Sequence, residues 1–386
     1  MTRIVDYLPA DWRDAVLLGR LELPEGPTPI LVRGGRVLDI SQFAATTADA
    51  AAKADLRTAT GPDLGALDEM EFSVAWDDGS AGGMKLLSPL DLQCVKASGV
   101  TFAVSAVERV IEERARGDAG RAQEIRSQLA ERVGADLSAV KPGSDQAMAL
   151  KDALIADGLW SQYLEVAIGK DAEIFTKAPV LSSVGWGDWV GVRSDSAWNN
   201  PEPEVVVVCD ATGRPVGAAL GNDVNLRDIE GRSALLLGKA KDNNASAALG
   251  PLIRLFDDGF SLDDVRNAVV SLEVTGDDGF VMTGASSMNL ISRDPLDLIG
   301  QTVGKTHQYP DGFALYLGTM FAPIQDRDAP GQGFTHHIGD RVRVSSPRLG
   351  VLENKVTTCD QAPPWTLGVS GLMRNLAARG LLGTAV

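Results

Sequence analysis

The chain has 386 residues, 44% of them hydrophobic, and carries 52 acidic against 36 basic side chains, a formal net charge of −16. That length exceeds a usual single core, so one large domain plus a small one is expected. The negative balance argues against nucleic acid or an anionic membrane as partner, and no apolar run is long enough to span a bilayer.

Residues 1–85 are rich in strand and turn signals. Ala15–Leu23 and Pro29–Asp39 read as antiparallel strands joined by Gly and Pro turns, and Ala44–Lys53 as an alanine-rich helix. They suggest a small N-terminal β-rich domain, bounded by the glycine-rich stretch Asp77–Met84. The remainder, 86–386, would be the larger domain, with a helical insertion at about 104–159. In that insertion Val107, Val110 and Ile111 form an apolar stripe within a helical pattern running to residue 133, flanked by Glu108, Arg109, Glu112 and Glu113. Gly117 and Gly120 interrupt it, which predicts two helices or a kinked one. A further helix is expected over 146–159. Beyond Trp160 strands dominate, until Val369–Arg379 closes the chain as a helix before Gly380. No regular βαβ alternation is present, so a mixed, β-dominated fold is expected and not a doubly wound sheet.

The N-terminal Met1–Tyr7 stretch lacks the apolar core of a signal peptide. Cys94, Cys209 and Cys359 are odd in number and widely spaced, which fits a reducing cytoplasm and neither a disulfide framework nor a thiolate zinc site. The only histidines are His307, His336 and His337, and none accompanies a GxSxG elbow. Chemistry built on carboxylates and lysine is therefore expected.

The most informative stretch is 201–223. Glu202 and Glu204 stand two apart at the start of a β-branched run, so on a strand both carboxylates face one side. Asp210–Gly213 reads as a hairpin turn centred near Thr212, which returns residues around 222 opposite 202 and brings Asp223 beside the two glutamates. Three carboxylates in one place repel one another unless protons or a cation lie among them, and hard oxygen ligands suit magnesium, manganese or calcium. Lys239 and Lys241 follow in a small, polar segment that ends at Gly250-Pro251; a lysine beside a metal-bound keto acid could stabilise an enolate. Gly185–Gly191 fits no nucleotide-loop pattern and reads as a turn. His307–Gly312 and Gly318–Pro323 read as loops, and Glu173, Phe175 and Lys177 as one exposed face of a strand.

Together these pieces resemble the fumarylacetoacetate hydrolase family. The likeness rests on Glu202-x-Glu204, Gly221-Asn-Asp-Val-Asn-Leu-Arg-Asp228, the Lys241 segment ending in Leu249-Gly-Pro251, and Gly318-Thr319. Phe175-Thr-Lys-Ala-Pro179 and the Gln93-Cys94-Val95 segment extend it over roughly 85–360. The resemblance implies a mixed β-sandwich roll, usually a homodimer or homotetramer. It also implies a divalent cation, magnesium first, on Glu202, Glu204 and Asp223, with Lys241 catalytic and Thr319 contacting substrate. The hydrolase members carry a Tyr-x-x-His pattern and a nearby Glu after the Cys-Val segment. Here Cys94–Ser105 has no histidine, and Gly99-Val-Thr-Phe102, followed by Ser105 and the long charged helix, resembles instead the family's sugar-acid dehydratases. Those imply loss of water from a small 2-keto-3-deoxy sugar acid; C–C hydrolysis of an acylpyruvate or diketo-deoxy sugar acid is the alternative. In that setting Thr101, Ser105 and Arg109 are expected to bind substrate. Glu173, Glu108 and Glu113 are candidates for the acid that assists hydroxyl departure.

Overall fold

A computed structural model describes residues 2–77, 83–126, 137 and 140–383. Its centre is the strand pair Pro203–Cys209 and Pro215–Asp223. Asp210 builds the turn: its Oδ1 accepts from the backbone N–H groups of Thr212 and Arg214, and Gly213 adopts φ 82°. On one side Pro215–Asp223 pairs with Ala247–Leu255, which leads through Leu17–Leu23, Gly26–Arg33, Arg36–Asp39 and Asp63–Ala66. On the other side Pro203–Cys209 pairs with Phe313–Tyr316, which lies parallel to Cys94–Gly99, itself paired with Glu173–Ala178. A second, five-stranded sheet runs Trp189–Val192, Gly350–Thr358, Arg341–Ser346, Val269–Thr275, Val281–Ser287.

The run Val205–Val208 explains the layering. Val205 and Val207 belong to the core shared with Val270, Leu272, Val344 and Leu352 of the second sheet. Val206 and Val208 belong to a second cluster with Leu18, Leu31, Leu249 and Tyr316. Both faces of the central strand are buried, which is why its sequence is continuously apolar and not alternating. The result is the expected β-dominated roll with peripheral helices.

The strands of residues 1–85 continue the large sheet through the pairing of Leu17–Leu23 with Ala247–Leu255, and Ile4, Leu17 and Phe72 share the main core. Part of the expected boundary, 78–82, lies outside the described residues. The expected Ala44–Lys53 helix is Thr47–Ala52, with the Thr46 side chain accepting from Asp49 N–H and Lys53 at the C-cap. Pro29–Asp39 is broken by a two-glycine turn at Gly34 and Gly35, both at positive φ. Gly185 N–H donates to Asp188 Oδ2 in the turn read at 185–191.

The insertion is a helical cap. Helix Ala103–Ala115 ends at Arg116, and the chain is helical again over 119–126; the continuation expected to 133 lies outside the described residues. Asp145–Ala156 and Gln162–Ile168 complete it, so the cap extends beyond the expected end at 159. Val107, Val110, Ile111, Leu154, Tyr163 and Leu164 form its own core. The Ala103–Ala115 helix is not half-solvated: Glu108, Arg109 and Glu112 are 7%, 9% and 1% exposed. The C-terminal helix is Val369–Ala378 with Arg379 at its C-cap, as expected.

Candidate active site

The hairpin brings the three acids together. Glu204 pairs with Gly221, and Asp223 N–H donates to Glu202 O, so Asp223 stands directly across from Glu202. The sequence placed 222 there; a register shift between Val208 and Cys209 moves the pairing by one. Glu202, Glu204 and Asp223 are all buried, and one carboxylate oxygen from each lies within 4.8 Å of the others.

Two lysines flank this group. Lys241 ends the short helix Leu237–Lys241 and is 2% exposed; its Nζ lies 2.5 Å from Glu202 Oε2 and 3.1 Å from Asp223 Oδ2. Lys239, its neighbour in the sequence reading, points outward to Asp195. Lys177 was read as an exposed strand charge, and the structure corrects this. It is fully buried, paired with Asp223 Oδ1 at 2.7 Å, and donates to the carbonyls of Val224 and Lys241. Those partners lie on segments 47 and 64 residues away, which strand alternation cannot foresee.

Gly318 N–H donates to Glu204 Oε2 at 2.7 Å, and Thr319 Oγ1 lies 3.4 Å from Oε1. Gly318 has φ 108°, and a Cβ there would stand 1.9 Å from Thr101 Oγ1, so only glycine permits the approach. Thr101 does not line the site: its hydroxyl donates to Leu317 O. The loop expected to be a simple turn thus positions Glu204.

The cap closes the site from the other side. Arg109 Nη2 donates to Glu202 Oε1 at 2.5 Å, while Nη1 reaches Glu112 at 2.6 Å and Glu230 at 3.1 Å. Ser105 lines the cavity, its Oγ donating to Phe102 O. Of the three candidate acids only Glu173 lines it. Glu108 is held by both Arg126 Nε and Nη2, and Glu113 by Ser161 and Gln162. Glu173 lies opposite Gly99, where a Cβ would stand 1.9 Å from its Oε2; the next residue, Val100, has the strained φ of 58°. Glu230, two residues beyond the Asn-Asp-Val-Asn-Leu-Arg-Asp run, is a lining carboxylate the sequence reading missed, as is the Phe175 ring, 5.9 Å from Lys241 Nζ. The remaining space is about 10 Å³, barely enough for one water.

Charge is distributed unevenly here. Burial works to raise Glu202, but Lys241 and Arg109 outweigh it and hold its pKa down at about 2. Glu204 goes the other way: burial, then Asp223 and Glu202, raise it well above the carboxylate range. Among the described residues no ion pair reaches Glu204. Its bias toward the neutral form is what a cation joining the trio would reverse, and three clustered carboxylates with one lacking a counter-charge fit a hard divalent ion. Burial raises Glu173, and it raises Glu230 to about 7. Burial alone would lower Lys241, but Asp223, Glu202 and Glu230 together raise it, so it is an ammonium.

The fold is that of the fumarylacetoacetate hydrolase type. A solved 2-keto-3-deoxy-D-arabinonate dehydratase in its apo form superposes with TM-score 0.62 at 20% identity, covering 89% of this chain and 99% of that one. A dehydratase of the same name complexed with magnesium and 2,5-dioxopentanoate gives 0.61 at 20% identity over the same shares. Fumarylacetoacetate hydrolase from Exiguobacterium antarcticum gives 0.54 at 18% identity, covering 89% of this chain and all (100%) of that one.

Two curated proteins are similar in sequence. The probable 2-keto-3-deoxyxylonate dehydratase of Haloferax volcanii is 30% identical over 196 residues, 51% of this chain and 64% of that protein. The 2-dehydro-3-deoxy-D-arabinonate dehydratase of Saccharolobus solfataricus is 34% identical over 183 residues, 47% of this chain and 57% of that protein. The chain thus matches less than two thirds of either relative's length. No protein-family model matches it. Among the described residues no helix is long and apolar enough to cross a membrane.

Proposed function

We propose that this chain is a metal-dependent hydro-lyase that converts 2-keto-3-deoxy-D-xylonate (2-dehydro-3-deoxy-D-arabinonate) to 2,5-dioxopentanoate and water. One observation carries the reading: three buried carboxylates, one without a counter-charge, share a closed site with an ammonium, a guanidinium and a protonatable Glu173. The curated relatives named for this activity support it.

Glu202, Glu204 and Asp223 would hold magnesium, with manganese or calcium as alternatives. When bound, the ion supplies Lewis-acid polarisation of a chelating 2-oxo acid. Lys241 offers a positive charge beside the oxygen on which negative charge develops as a C3 proton leaves. Glu173, its carboxyl raised by burial, is the lining acid placed to protonate the departing C4 hydroxyl. Arg109, Ser105 and Thr319 orient the carboxylate and hydroxyls. Loss of the C3 proton and C4 hydroxyl as water gives an unsaturated oxo acid. Moving a proton from C5 to C3 shifts the double bond to C4–C5, and the hydroxyl proton of that enol passes to C4 to give the C5 aldehyde, so the balance is one water lost and no electrons exchanged. The assembly proposed is a homodimer or homotetramer, which light scattering would measure.

No histidine lines the cavity, and His336 is buried elsewhere, committed to Asp340. A histidine-activated water for C–C hydrolysis therefore lacks its base. The test is product analysis by NMR after incubating the protein, magnesium and both C4 epimers of 2-keto-3-deoxypentonate. A single aldehyde-bearing five-carbon chain is expected; no conversion of either epimer would overturn the reading. An acylpyruvate that breaks into two fragments would favour the hydrolase alternative.

A further inference from the structure

Both oxygens of Glu202 are already paired with cations. Lys241 holds Oε2 and Arg109 holds Oε1, each at 2.5 Å. Each oxygen keeps a second lone pair, but an ion gripped by the trio would add two positive charges beside these two cations, and that repulsion favours the departure of one of them. Lys241 bridges Glu202 and Asp223, so its withdrawal would break two ion pairs at once, although Lys177 would still hold Asp223. Lys177 is locked among the Val224 and Lys241 carbonyls and the Ser246 hydroxyl. Arg109 differs from both. Unlike Lys241 it touches one of the three acids, and that acid is Glu202, not the Asp223 that Lys177 holds; Glu112 and Glu230 also retain it, with Glu112 anchored in turn by Arg227 Nε at 3.0 Å. Leaving Glu202 costs it one partner of three.

The space available agrees with this choice. About 10 Å³ cannot admit a five-carbon acid. Arg109 comes from the helical cap, whereas the acids and Lys241 are fixed to the sheet and its adjoining turns. We infer that Arg109 is the resident counter-ion of Glu202, displaced when a divalent cation binds. The freed guanidinium stays tethered to Glu112 and Glu230 at the cavity wall, where it faces the anionic end of the incoming substrate. Cation therefore binds before substrate. The inference rests on the metal-dependent reading above.

Binding alone tests it. Chelator-stripped protein is titrated with MnCl2 by calorimetry, without substrate, as wild type, Arg109→Met and Glu230→Gln. Arg109→Met removes the competitor and is expected to tighten manganese binding about tenfold or more, given the coupling of close buried charges. Glu230→Gln removes one fallback partner, so Arg109 clings to Glu202 and binding weakens about 3- to 10-fold. Should Arg109→Met fail to fold, the Glu230→Gln shift still decides. Folded Arg109→Met with unchanged or weaker affinity, or Glu230→Gln with unchanged or tighter affinity, overturns the inference. Wild type that binds no manganese sinks the metal reading itself along with it.

Discussion

The two halves of the site hold their charges by different means. On the sheet side, backbone and glycine geometry do the positioning: Asp223 N–H on Glu202 O, Gly318 N–H on Glu204, and carbonyls around Lys177. On the cap side, side chains hold side chains, in a buried ladder from Arg109 through Glu112 and Arg227 toward Glu108 and Arg126. Main-chain anchors fix where a ligand atom stands. A ladder of ion pairs can exchange partners without unfolding anything. The rigid half suits metal ligation, and the adjustable half suits admitting substrate.

Substitutions on each side should separate these roles. Lys241→Met is expected to have the largest effect, slowing turnover by about 10²–10⁴ while a divalent ion still binds, measured by steady-state kinetics and calorimetry. Near-normal turnover would take Lys241 out of the chemistry. Lys177→Met should lower stability by about 3 kcal/mol in urea, since Asp223 stays buried with a partner removed. A loss under 1 kcal/mol would show that Lys241 alone satisfies Asp223. Gly318→Ala forces a Cβ against Thr101 and should cost about 1–3 kcal/mol, with weaker cation binding through Glu204. Lys151→Ala breaks an exposed pair with Glu165 at the cap surface, and its effect should stay below about 0.5 kcal/mol.

Protons sharpen the same contrast. Burial and the neighbouring Asp223 and Glu202 favour the protonated form of Glu204, which a cation would oppose, so affinity should rise with pH. Calorimetry in buffers of different ionisation enthalpy should show proton release on binding. Equal heats in all buffers would contradict this.

What the sequence made legible follows the same division. Glu202, Glu204 and Asp223 could be placed together because a short hairpin has a local register, and a single bulge displaced it by only one residue. Gly318-Thr319 took its site role from resemblance, and resemblance chose Lys241 over Lys239, since nothing local says which loop or helix end meets that hairpin. Lys177 was misread because a lysine on a strand defaults to solvent, and its enclosure is built by residues 224, 241 and 246. Glu112 and Glu230 were missed for a related reason. Charged residues beside an apolar stripe ordinarily face water, and only the docking of the cap turns them inward.

The most direct measurement is electron paramagnetic resonance of Mn²⁺ added to chelator-stripped protein, beside a Glu204→Gln variant. One tightly held ion per chain is expected, lost or much weakened when Glu204 is neutralised. Binding that ignores the substitution, or none in the wild type, would contradict the account.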